Sequence, residues 1–147
     1  MCLIIDVNIA HKVLFCDDDP DFGEVNRRLF SPRTSNFKIV YGGKLLEEYM
    51  KSYSILRRIK LLDQAGKARA IDDKAVQIET KRVENLQLCK SDDPHIVALA
   101  RCSNARVLCS HDRDLHTDFT NSDLIPQPRG KVFQTTKHLH LLKDPCP

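Results

Sequence analysis

Two short runs, Cys2 to Ile5 and Arg106 to Cys109, are apolar at almost every position, and acid stands close behind each: Asp6 directly after the first, Asp112 and Asp114 just past the second. A strand that is apolar throughout is buried on both faces, which is the property of a parallel strand with helices packed above and below it. The segments between these runs carry helical periodicity, and strands alternating with helices specify an α/β fold, a three-layer α/β/α sandwich with a mostly parallel central sheet. In such sheets ligands collect beyond the carboxyl ends of the strands. The acids therefore stand where a site would form.

The remaining elements follow from local pattern. Asp6 to Phe15 reads as a turn into a helix, and Asp17 to Asp21, with Pro20 inside, as a polar loop. Phe22 to Phe30 is expected as a second short helix closed by Ser31-Pro32. Phe37 to Tyr41 reads as a strand and Gly42-Gly43 as the break after it. One long helix is expected from Lys44 to about Asp63, because Leu45, Tyr49, Tyr53 and Leu56 recur at three- and four-residue steps. On that helix Glu47 falls opposite the apolar stripe and Glu48 at its edge, so Glu48 is the residue able to reach a cleft. Asp72 to about Glu84 is expected as a helix, Leu86 to Ser91 as a loop, and Asp93-Pro94 as the start of a helix carrying Ile96, Val97, Leu99 and Ala100. Asp112 and Asp114 lie in a loop, and Lys131 to Gln134 forms a last or edge strand. The whole, residues 1–147, is expected to be one domain, with about 121–147 as a C-terminal extension.

A net charge of +3 permits a polyanionic partner without demanding one. No run approaches the roughly 20 apolar residues of a membrane span, and the apolar start lacks the basic flank of a signal peptide, so the expected location is the cytoplasm. With no export signal, the six cysteines are expected as small buried hydrophobes rather than disulfides. Neither Cys109, His111 and His116 nor His138, His140 and Cys146 has the spacing of a zinc module.

Carboxylates gathered from distant segments repel one another, and a hard divalent cation reverses that penalty. Asp6, Glu48, Asp93, Asp112 and Asp114 thus point to Mg²⁺ or Mn²⁺ and to metal-assisted phosphodiester hydrolysis. Each has a plainer reading. Asp93 before Pro94 is a standard helix cap, Asp6 can cap the helix that follows it, Asp112 and Asp114 can be a solvated turn, and Glu48 a surface residue. The neighbours Glu47 and Asp92 leave two assignments open by one position.

The ordered set Leu-Ile-Ile-Asp6-Val-Asn8, Leu-Leu-Glu-Glu48-Tyr, Asp93-Pro-His-Ile-Val-Ala-Leu-Ala and Arg-Val-Leu-Cys-Ser110-His-Asp112-Arg-Asp114 resembles the PIN-domain nucleases from Leu3 to about Phe133. The resemblance implies Mg²⁺- or Mn²⁺-dependent cleavage of RNA, with Asp6, Asp93 and Asp112 holding metal, Glu48 and Asp114 completing the pocket, and Asn8 and Ser110 as polar helpers. Asp114 is included among the metal-binding acids. Small proteins similar to the VapC type suggest a toxin with an antitoxin partner, and many of them form homodimers. Arg57, Arg58, Lys60, Lys67 and Arg69 are candidates to guide an RNA backbone. Two further readings share these residues: a catalytically silent PIN-like module that binds RNA or protein, and a DNA-directed flap-type nuclease. The acidic loop Asp17-Asp18-Asp19-Pro20-Asp21 looks like the turn of a receiver domain, but no phosphoacceptor Asp ends a strand some forty residues on. It fails equally as an EF-hand, since Gly23 falls one place late and the twelfth position has no glutamate.

Overall fold

In the computed structural model, which describes residues 2–143, five parallel strands form one sheet between helices, in the order β3-β2-β1-β4-β5. The strands are β1 (Cys2–Ile5), β2 (Lys38–Tyr41), β3 (Ala68–Ala70), β4 (Val107–Cys109) and β5 (Lys131–Phe133). The helices are α1 (Val7–Phe15), α2 (Gly23–Phe30), α3 (Gly43–Met50), α4 (Tyr53–Gln64), α5 (Asp73–Asn85), α6 (Pro94–Ser103) and α7 (Arg113–Thr120), with a 3-10 helix over Thr136–Leu142. This is the expected α/β/α sandwich. The chain moves outward from β1 through β2 to β3, then returns to place β4 on the other side of β1. The strand order therefore reverses between β1 and β4, and a crevice opens at the carboxyl ends of strands at such a point.

Burial follows the apolar pattern. Every residue of β1 and β4 is buried, as are Ile39 and Val40 of β2. Register sets Ile5 beside Cys109, so the residues after them leave the sheet side by side. The Asp6 N–H donates to the Cys109 carbonyl at 2.9 Å, extending the pairing one residue past β1.

Several boundaries differ from the sequence reading. The long helix is two helices: Ser52 interrupts it, and its side chain accepts from the Ile55 N–H at 3.5 Å to start α4. The shared apolar face breaks there as well, since Leu45 and Tyr49 are buried while Tyr53 is 79% exposed. β3 was not expected, because an edge strand of three residues carrying Arg69 has neither the length nor the apolar run that announces a buried strand. Asp114 lies not in a loop but in the first turn of α7. The last edge strand falls where expected: β5 pairs Lys131 to Phe133 with β4.

The acidic loop has a structural use. Asp19 Oδ1 accepts from the N–H groups of Asp21 and Phe22 at 2.9 and 2.8 Å, turning the chain into α2. The segment before it is helix α1 rather than a receiver strand. Among the cysteines, Cys109 is buried, and Cys16, Cys89 and Cys102 are partly buried and free. Cys2 is the correction to the all-thiol expectation: it is disulfide-bonded. Cys146 lies outside the described residues.

Candidate functional site

Asp6 leaves β1 at the strand-order reversal, only 5% exposed, and the side chain does not cap α1. Its carboxylate is instead held by Ser110, the residue after β4, whose hydroxyl donates to Asp6 Oδ2 at 2.7 Å. Ser110 Oγ in turn accepts from the Asp112 N–H at 3.0 Å, so one hydroxyl links two of the acids. The Ser110 carbonyl meets His116 Nε2 at 2.6 Å, and His116 Nδ1 meets Gln134 Nε2 at 2.8 Å, bracing the turn from α7 and from the residue after β5.

Asp93 is likewise free of the capping role open to it. Pro94 opens α6 as expected, yet the Asp93 side chain makes no cap hydrogen bond. Its backbone is fixed from elsewhere. Asp118 of α7, buried, accepts from Lys90 N, Ser91 N and Ser91 Oγ at 2.8, 2.9 and 2.7 Å, and Ser91 Oγ accepts from the Asp93 N–H at 3.3 Å. Sequence reasoning missed Asp118, since an acid inside a helix carries no sign that it will receive a loop's N–H groups.

Glu48 reaches the same place from α3. Glycine fixes the start of that helix: Gly43 has φ +58°, and a Cβ there would stand 2.7 Å from Val76 Cγ1, so only glycine lets α3 approach α5 this closely. One residue past Glu48, the buried Tyr49 hydroxyl donates to the Ile5 carbonyl, tying α3 to the end of β1. Glu47 is exposed, as helical phase predicted, and Asp92 is exposed whereas Asp93 is half-buried.

His95 was not anticipated. It is buried, with Nε2 3.3 Å from Glu48 Oε2 and Nδ1 4.0 Å from Asp93 Oδ1. Ligand atoms of Glu48, Asp93 and His95 lie within 4.8 Å of one another. The signal available in sequence was adjacency, a histidine two residues after a candidate acid at a helix start.

The acids act on one another. The Asp93 carboxyl is raised above its ordinary 3.8, first by burial, then by the negative charges of Asp6, Glu48 and Asp112 acting against the opposite pull of His95. Arg27 and Arg28 pair with Glu24, and Arg82 and Arg101 with Glu79. Like charges held together with one histidine among them are an arrangement a divalent cation neutralises.

The remaining predicted residues are placed less centrally. Asp112 keeps its plainer role as well: Oδ1 caps α7 through the N–H groups of Asp114 and Leu115 at 2.9 and 3.2 Å. Asp114 is exposed at the start of α7. Asn8 is exposed, and Oδ1 accepts from the His111 N–H at 3.4 Å. Of the basic residues, Arg57, Lys60 and Arg69 are exposed. Arg58 lies over the Phe15 and Phe30 rings, at 4.9 and 5.0 Å. Lys67 is a correction: it is buried, and Nζ donates to the carbonyls of Arg28 and Ser31 at 2.7 Å each and to Thr34 Oγ1 at 3.0 Å. It holds the chain leaving α2 and has no hydrogen left for a phosphate.

No protein family, curated protein or solved structure matches the chain. No helix among the described residues is long and apolar enough to cross a membrane.

Proposed function

We propose that the protein is a metal-dependent nuclease that hydrolyses phosphodiester bonds of RNA, with Asp6, Glu48, Asp93 and Asp112 forming its centre and Asp114 at the rim. The observation that carries this reading is the meeting of Asp93 with Glu48 and His95 at the reversal point of a parallel sheet, where the Asp93 carboxyl is raised by burial and by the charges of Asp6, Glu48 and Asp112. The donor set suits a divalent ion, because carboxylate oxygens of Glu48 and Asp93 and a nitrogen of His95 lie within 4.8 Å of one another and His95 Nδ1 has no hydrogen-bond partner. A bound Mg²⁺ or Mn²⁺ supplies two things, neutralisation of phosphate charge and acidification of a water.

The chain's own residues hold that centre in place. Ser110 fixes Asp6, Tyr49 fixes the segment bearing Glu48, and Asp118 fixes the loop before Asp93. A preset arrangement costs no reorganisation when charge develops on the phosphate. Two features suit a polyanion. Lys44 and Lys81 line a cavity that reaches Asp92 and His95. Arg57 and Arg58 share a second groove with Phe15, Tyr53 and Leu61, beside the last residue of α1 and so about 13 Å along that helix from Asp6. A cationic groove with aromatic rings accepts single-stranded nucleic acid through backbone charge and base stacking. A toxin role adds a neutralising protein partner, detectable as relief of growth arrest on co-expression.

The test is cleavage of labelled single-stranded RNA, with single-stranded DNA in parallel, in Mn²⁺, in Mg²⁺ and after chelation. RNA cleavage that needs metal and is abolished in Asp6→Asn and Asp112→Asn supports the proposal. Cleavage that survives chelation, or is unchanged in both variants, contradicts it. Cleavage of DNA alone assigns the chemistry to a DNA-directed enzyme.

A further inference from the structure

Among the buried side-chain nitrogens and oxygens of the described residues, His95 Nδ1 is the one without a hydrogen-bond partner. A buried polar atom left unpaired is costly, and one in a native protein points to strain, an ordered water, an ion or a chemical role. The side chain is 3% exposed, so bulk water does not serve it.

The other ring nitrogen decides what Nδ1 can be. Nε2 stands 3.3 Å from Glu48 Oε2, and an ionised carboxylate only accepts, so this contact assigns the hydrogen to Nε2. Nδ1 then presents a lone pair. Asp93 Oδ1, at 4.0 Å, is beyond hydrogen-bond range and is itself an acceptor. A lone pair and a carboxylate oxygen facing each other at that separation repel unless a proton or a metal cation lies between them.

Resting on the metal-dependent reading above, we infer that His95 is a metal ligand through Nδ1, shared with Asp93, and that Glu48 is the carboxylate that orients its ring. A carboxylate taking the far N–H of a ligating histidine is the usual arrangement around protein-bound metals, where it fixes the tautomer and raises ligand basicity. It also gives Glu48, at the edge of α3, a positioning role in addition to its charge. The choice of ion follows. Mg²⁺ keeps to oxygen ligands, whereas Mn²⁺ accepts carboxylate and tolerates imidazole, so a nitrogen ligand tilts the site toward Mn²⁺.

The experiment is pulsed electron paramagnetic resonance on the full chain loaded with Mn²⁺, which reads nitrogen bound directly to the ion through its nuclear modulation of the echo. The expected result is nitrogen modulation in the wild type, lost in His95→Gln and kept in His111→Gln and His116→Gln, whose rings meet Phe22 and the Ser110 carbonyl instead. Glu48→Gln is expected to weaken Mn²⁺ affinity about 10–100-fold, as loss of an orienting carboxylate does. Bound Mn²⁺ without nitrogen modulation overturns the His95 assignment and leaves the metal centre standing. Modulation that vanishes in His111→Gln or His116→Gln assigns the nitrogen elsewhere and overturns it too, even if His95→Gln fails to fold. A wild-type chain that binds no Mn²⁺ overturns both.

Discussion

Ser110 Oγ donates to Asp6 Oδ2 at 2.7 Å, joining the ends of the two central strands through side chains as well as backbone. The two residues are far apart in sequence and adjacent only because β1 pairs with β4 in the register that sets Ile5 beside Cys109. The hydroxyl restrains one carboxylate oxygen and leaves the other to the crevice. Ser110→Ala is therefore expected to fold and to bind Mn²⁺ about 10–100-fold more weakly. Titration calorimetry reads this directly, and unchanged affinity would take Ser110 out of the site.

Asp6→Asn is expected to abolish cleavage and, without metal, to make the protein more stable. It removes one of the negative charges acting on Asp93 while keeping an oxygen to accept from Ser110. Relief of built-in repulsion is the usual trade of activity for stability. A gain on the order of 1 kcal/mol raises Tm by about 2–4 °C at this chain length. A metal-free variant that melts below the wild type contradicts the view that the acids repel.

Lys67→Ala is expected to destabilise the fold by about 1–3 kcal/mol, because it removes three hydrogen bonds from the chain leaving α2, to the Arg28 and Ser31 carbonyls and to Thr34 Oγ1. The salt dependence of RNA binding should not change, since Nζ is spent inside the protein. Denaturant midpoints and binding slopes separate the two effects. A shallower slope at full stability would restore Lys67 to the substrate path.

Cys109 gives a pH test. Burial pushes its thiol from an ordinary 9.0 up to about 12. The folded state thus favours the neutral thiol, and this contribution is complete below pH 9 and lost as pH rises toward 12. Unfolding free energy should fall in that window by up to about 1.4 kcal/mol per pH unit from this group. Cys109→Ala, less stable at pH 7 through lost packing, should show a shallower fall between pH 9 and 11. Equal slopes would mean the thiol titrates as if exposed.

What the sequence disclosed was set by which residues feel local rules. β1 and β4 were legible because strands buried on both faces are apolar at every position, and Asp6 and Asp112 were legible because they follow such runs. Glu48 was separable from Glu47 by helical phase alone. The break at Ser52 was hidden because no proline or glycine marks it, and β3 because an edge strand of three residues owes its existence to pairing with β2. His95, Asp118 and the inward turn of Lys67 were out of reach for one reason: each makes its contacts with residues at least 27 positions away, apart from the nearby Asp93. The plain capping readings of Asp6 and Asp93 could be set aside only once side-chain geometry was known.

Diffraction from crystals soaked in Mn²⁺, collected near the manganese absorption edge, tests the central claim most directly. An anomalous peak bounded by Glu48, Asp93 and His95, or between Asp93 and the Asp6–Asp112 pair, is the expected result. A fully soaked crystal with these carboxylates well ordered and no peak among them would contradict it.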